Sequence, residues 1–218
     1  MLLSFDVAAE AMTEHDDWHT HEHLPERLSV PGFLRGSRWV AMRGTPRYLV
    51  LYEVVALATL TSAAYLERLD HPTAWTSKMM PSYRGMTRGL CAVEATFGAG
   101  LGNVAYVARF KRDGPAAASL RRWLVEEMLP ALPPRPGIVG AHLLRGAANA
   151  PMTNEQRLRG SDAAIDAALL VIGYDATVLD ELSRSALATH ELERRGATDA
   201  TAGLYRIDCA LSHEEVGA

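Results

Sequence analysis

The chain has 218 residues, 48% of them hydrophobic and 22% charged, with a formal net charge of −4. That balance excludes disorder as the default state, and because Lys and Arg are scattered, no basic stripe points to nucleic acid or to an anionic membrane. No run approaches the ~18 consecutive apolar residues of a membrane span, and the first ten residues lack a basic stretch ahead of an apolar core, so a cytoplasmic location is expected.

In chain order, residues 2–8 (LLSFDVA) read as a short strand, and residues 13–28 as a helix that Thr13 could cap, with Glu14, Asp16 and Asp17 in its first turn. Residues 33–42 and 47–55 follow as a β-hairpin, separated by RGTP. Residues 61–70 form a helix starting at a Thr or Ser cap. After the long aromatic segment 71–88, residues 89–97 give a fourth strand. The glycines of 98–103 (GAGLGN) interrupt both periodicities and mark a linker. Strand 104–110, helix 116–132, strands 138–146 and 167–175, helix 178–196 and strand 202–211 then repeat the order. Cys91 and Cys209 lie in apolar runs without metal-ligand spacing, which predicts reduced thiols.

The repeat extends to single residues. Trp18, Leu24, Pro25, Pro31 and Gly32 recur as Trp123, Leu129, Pro130, Pro136 and Gly137, all 105 positions later. This indicates two units, 1–98 and 104–212, with the insertion ANAPMTNEQRLRGS (148–161) merely lengthening the second hairpin. Each β-α-β-β-α-β unit predicts an α+β, ferredoxin-like sandwich with both helices on one sheet face. Both faces of 48–55 are apolar. The bare sheet of one unit should therefore pack on that of the other, giving an eight-stranded barrel-like core: a pseudo-dimer in one chain, open to further homodimerisation.

The pattern EHDDWHTHEHLPERLSVPGFLRGSRW (14–39), and more weakly DHPTAWTSKM (70–79), resembles the EthD-like branch of the dimeric α/β-barrel superfamily, here as a tandem fusion. The resemblance implies a small-molecule cavity within a superfamily of cofactor-free monooxygenases, polyketide cyclases, lactone isomerases and haem enzymes. Fold alone does not choose among them.

The duplication separates scaffold from site. Residues that recur hold the fold, whereas His19, His23, Glu26, Arg27 and Arg38 stand where the second unit has Leu124, Met128, Ala131, Leu132 and Leu143. Polar groups in apolar surroundings are costly unless paired or functional. His15, His19 and His23 share a helix face at four-residue spacing, with Glu22 and Glu26 beside them. His23 with Glu26 suits general acid/base work, and Arg38 could hold an enolate, phenolate or carboxylate. A hairpin turning at Thr45-Pro46 would instead set Arg38 opposite Glu53 as a cross-strand ion pair. His19, Arg27, Trp75 and Tyr83 are the candidate substrate-binding residues, with 71–89 capping the cavity.

These residues predict a cofactor-independent lyase, isomerase or cyclase acting on a small apolar carbonyl or phenolic compound, the alternative being a carrier with the same cavity and no turnover. A third reading is a haem or metal enzyme. One histidine could serve as an axial ligand, and an HxxxH pair can bind zinc, but zinc needs further ligands at ~2 Å and none is evident in the sequence.

Overall fold

The computed structural model describes residues 1–147 and 152–216. Ten strands, β1 (Leu2–Val7), β2 (Phe33–Arg43), β3 (Tyr48–Val54), β4 (Tyr83–Gly89), β5 (Cys91–Gly98), β6 (Val104–Lys111), β7 (Ile138–Gly146), β8 (Ala163–Ala164), β9 (Ala167–Gly173) and β10 (Thr198–Ser212), form one sheet ordered β5-β7-β9-β6-β10-β2-β3-β1-β4-β8. Against them lie α1 (residues 12–28), α2 (Ala63–Asp70), α3 (Ala74–Met79), α4 (residues 117–128), α5 (Asn154–Arg159), α6 (Ala176–Arg184) and α7 (Thr189–Arg194).

The expected pairing of two ferredoxin-like units is present, and two strands weld it together. β10 begins antiparallel to β6 and ends antiparallel to β2, while β4 pairs with β1 and its continuation β5 pairs with β7. Each unit's last strand thus crosses into the other unit, which closes the sheet and removes its long edges. Leu2, Trp39, Leu49, Val107, Leu170 and Tyr205 belong to the core inside the barrel. Two further cores lie between sheet and helices, one for each unit.

The recurring residues explain the helices. Proline has no N–H for the turn behind it, and its ring crowds the carbonyl four residues back. Ahead of Pro25 the helix widens into a π turn, His19–His23, so that the Leu24 N–H reaches the His19 carbonyl. The second unit does the same ahead of Pro130, where Leu129 N–H donates to Leu124 O at 2.9 Å. Gly32 and Gly137 both adopt φ +92°, the left-handed turn that starts the next strand.

Several expectations need correction. The sheet has ten strands rather than eight. The fourth strand starts at Tyr83, within the segment expected to be connector, and breaks only at Leu90. No Thr13 cap exists, because a 3₁₀ turn, Ala9–Ala11, leads into α1 at Met12, whereas Ser62 does cap α2 through the Tyr65 N–H. The helix expected over 178–196 is two, broken after Arg184. The insertion 148–161, of which 148–151 lie outside the described residues, is not a plain loop: it builds α5 and precedes β8.

Candidate functional site

The π turn aims three histidines at the sheet. A π turn places residues four apart nearly above one another, and the His15, His19 and His23 rings follow at centroid separations of 5.6 and 5.5 Å, with the Trp18 ring tilted 38° against His23 at 4.4 Å. All three imidazoles are buried. His15 is satisfied by Asp16 at 3.0 Å and the Tyr83 hydroxyl at 3.3 Å. His19 and His23 are not: neither Nδ1 has a hydrogen-bond partner among the described residues.

These two rings line a small cavity with Phe5, Tyr52, Tyr83 and Arg27, bordered by Thr153, Glu155 and Arg159 from α5 and its flanks. Its space for water centres is about 30 Å³, enough for one or two waters. Arg27, 2% exposed, forms an ion pair with the equally buried Glu155, and its Nη1 faces Glu26 Oε2 at 3.7 Å, too far for a hydrogen bond. Glu26 Oε2, Arg27 Nη1 and the Tyr52 hydroxyl join the two histidine nitrogens as buried polar atoms without a protein partner. Buried polar groups are nearly always satisfied, so four such atoms on residues lining one cavity, with Glu26 beside it, mark a place built for something polar.

Desolvation sets the protonation states. Burial, reinforced by the positive charge of Arg27, holds His23 well below the usual histidine range, and His19 is depressed likewise by burial and its His15 neighbour. Burial raises Glu26, with Arg27 opposing, and lifts the Tyr52 and Tyr83 phenols. At neutral pH the cavity therefore presents two neutral imidazoles and the guanidiniums of Arg27, Arg88 and Arg159, beside Glu26, whose pKa burial raises.

The sequence-predicted residues divide. His19, His23, Arg27 and Tyr83 line the cavity, and Glu26 adjoins it. Trp75 instead donates from α3 to Glu14 at 3.2 Å, outside the cavity. Arg38 is also elsewhere: buried beneath α1, it donates to Asp208 at 2.9 Å and to the Asp16 carbonyl at 2.9 Å. Nor does it face Glu53. Strand β2 runs on to Arg43 and turns at Gly44, φ +93°, so Arg38 opposes Val50 and Glu53 opposes Arg35, with which it pairs at 3.5 Å. The odd displacement puts Arg38 and Glu53 on opposite faces. The cation that lies beside the histidines on the same helix is Arg27, not Arg38. Sequence reasoning missed Glu155, although Thr153 and Gln156 form a capping box whose spacing announces a helix inside the insertion.

Among the described residues, His23, Glu26 and Glu155 bring donor atoms within 4.8 Å of one another. A divalent metal fits them poorly, because the Arg27 guanidinium already occupies the Glu155 carboxylate. Haem fits less well: a macrocycle would need α1 to leave the sheet, where Phe5 and Tyr48 already sit in ring contact with His15 at 5.7 and 4.8 Å.

No family model matches the chain, and no curated protein matches it in sequence. Solved structures do match in shape. An anthrone oxidase-like protein superposes with a TM-score of 0.69 at 12% identity, over 100% of this chain and 93% of its own. A candidate monooxygenase from Fusobacterium nucleatum gives 0.58 at 10% identity, over 97% and 92%. Another from Lactobacillus acidophilus gives 0.52 at 10%, over 97% and 94%. No helix among the described residues is long and apolar enough to cross a membrane. Likeness over whole chains at such identities establishes the fold, a dimeric α/β barrel contained in a single polypeptide.

Proposed function

We propose that the chain binds a small apolar carbonyl or phenolic compound in the α1 cavity and transfers a proton to or from it without a cofactor. The reading is carried by the unpartnered Nδ1 atoms of His19 and His23 beside the unpartnered Arg27 Nη1 in one buried cavity. A neutral imidazole can accept a proton from an acidic C–H or O–H, and a fixed guanidinium donor can hold the enolate or phenolate that results. His23 is the base, Arg27 the electrostatic partner, and Glu26 the group that exchanges the proton onward. An aryl ketone with an acidic C–H is a suitable substrate type, consistent with the anthrone oxidase-like fold neighbour. The cavity, too small for such a ligand as it stands, admits it when α5, tethered by the Arg27–Glu155 pair and by Asn154 bonds to Asp70, moves aside.

We also read the two units as a tandem duplication of the EthD-like type with the second site lost. The shared π turn, the shared Pro-Gly turn and the apolar replacements at 124, 128, 131 and 132 support this.

Deuterium incorporation into 1,3-diketones and aryl ketones, followed by proton NMR, tests the function whatever the overall reaction. The wild-type protein should accelerate exchange, and His23→Met, the residue of the second unit, should reduce it about 10²–10⁴-fold while ligand affinity changes little. Saturable binding with no exchange in the wild-type protein would instead make it a carrier.

A further inference from the structure

A second concavity lies away from the α1 site, at the mouth of the barrel. It is an open cleft of about 960 Å³, on the scale of small-molecule pockets, and its lining includes Arg109, Thr87, Arg43, Lys111, Arg184 and His190. On β6, Ala105 and Val107 point into the barrel core, and Arg109 is next on that face. On β1, Leu2 is followed in the same way by Ser4. Ser4 and Arg109 are 105 positions apart, the spacing of the duplication, and their side chains meet: Arg109 Nη1 donates to Ser4 Oγ and, at 2.9 Å, to Thr87 Oγ1. The barrel therefore carries one guanidinium where its own pseudo-symmetry supplies a hydroxyl.

That guanidinium has no carboxylate partner within 4 Å among the described residues. The other Arg and Lys side chains named in the lining are paired with carboxylates, Arg43 and Arg184 sharing Asp180 at 2.8 and 2.9 Å and Lys111 holding Asp199 at 2.6 Å. Two acids of the lining are also engaged: Asp6 accepts the Arg47 backbone N–H and Asp166 that of Arg112, each at 2.7 Å. The hydroxyls that hold Arg109 are 2.5 Å apart, and Thr87 also donates to the Ser4 carbonyl at 3.2 Å, so they position the guanidinium by accepting from it. Its Nε and Nη2 have no hydrogen-bond partner among the described residues, and Arg109 is only part-buried where it lines the cleft. Burial penalises the charge and lowers the Arg109 pKa.

We infer that Arg109, fixed by Ser4 and Thr87, is the floor of an oxyanion-binding site that takes the carboxylate or phosphate of a small ligand lying in the barrel mouth. A planar fork with two free N–H groups matches such an anion bidentately, and a partly desolvated charge gains more from it than a surface lysine does. The inference is independent of the α1 cavity and stands if that reading fails.

The test follows the arginine Nε–Hε resonances of the full chain by NMR while benzoate or inorganic phosphate is added, against sodium chloride at equal ionic strength. Arg109 should shift saturably with at least one of the two. Benzoate alone assigns a carboxylate ligand, and phosphate alone a phosphate ligand. Arg109→Ser, which copies the first unit, should abolish saturable binding of that probe, and Lys111→Ala should retain it. Thr87→Val keeps the charge but frees the fork and should weaken binding severalfold, a check that holds even if Arg109→Ser does not fold. An Arg109 signal that responds only as it does to chloride, or unchanged affinity in Arg109→Ser or Thr87→Val, overturns the proposal.

Discussion

Arg27 and Glu155 stand 128 positions apart and meet as an ion pair with both side chains 2% exposed. The contact joins the helix that carries the histidines to the insertion that borders their cavity. Removing one partner leaves the other buried and charged without its counter-ion, so Glu155→Ala should destabilise the fold by about 3–5 kcal/mol. Replacing both with leucine should recover most of that loss, since Leu132 already fills the equivalent of Arg27 in the second unit. Urea unfolding of the two single variants and the double variant measures the coupling, and additive losses would show that the pair does not act as a unit.

Stability should fall on mild acidification. His19 and His23 have folded pKa values below the ~6.5 of the unfolded chain, so below pH 6.5 the unfolded state binds protons that the native state refuses. Each contributes up to about 1.4 kcal/mol per pH unit, fully present above pH 6.5 and lost as pH falls toward the depressed values. Glu26 has the opposite sign: its raised pKa favours the native state at low pH and costs stability as pH rises through it. Two histidines outweigh one carboxyl group between pH 5 and 6.5, and His15, lowered by the same burial, adds to them. The double variant His19→Leu/His23→Met should flatten the dependence of unfolding free energy on pH in that window. An unchanged slope would show that the rings are already protonated in the native state.

The architecture is legible in the sequence because residues recurring at one 105-residue offset leave a periodic record, and the proline-driven π turn and the Pro-Gly turn follow from local chemistry at Pro25, Pro130, Gly32 and Gly137. The histidine stripe is legible for the same reason, being a local helical spacing. The place of Arg38 is not, because a hairpin register depends on where the turn falls. RGTP offers two centres, and the chain uses Gly44. Glu155 escapes a sequence reading because its partner lies across the fold, and no local pattern states that an acid in an insertion will neutralise Arg27. Arg109 lies in an apolar strand, and its exceptional position shows only when Ser4 is brought against it across the barrel.

Arg38 binds the two units together. It belongs to β2 and holds Asp208 of β10 through Nε and Nη2 at 2.9 and 2.8 Å. Asp208→Ala leaves buried donors unmet and should cost about 1–3 kcal/mol. Arg38→Leu/Asp208→Ala, which copies Leu143 of the second unit, should be closer to the wild-type protein. Neither change should alter the pH dependence of proton exchange with a ketone substrate. A shift in that profile with Asp208→Ala would return Arg38 to the reacting group.

The pH profile of the proposed proton transfer reports on Arg27 directly. His23 acts as a base only when neutral, so the acid limb of kcat/KM should fall below pH 6.5, where a solvent-exposed histidine would already be half protonated. Burial is the larger cause of that depression, and the Arg27 charge the next. Arg27→Leu/Glu155→Leu removes the cation without stranding its partner, so the limb should move toward higher pH while remaining below 6.5. The same variant should lower kcat/KM at its plateau, because the enolate loses its guanidinium donor. A limb that stays in place while the plateau falls would confine Arg27 to holding the anion, and a limb that moves to lower pH would remove His23 from the role of base.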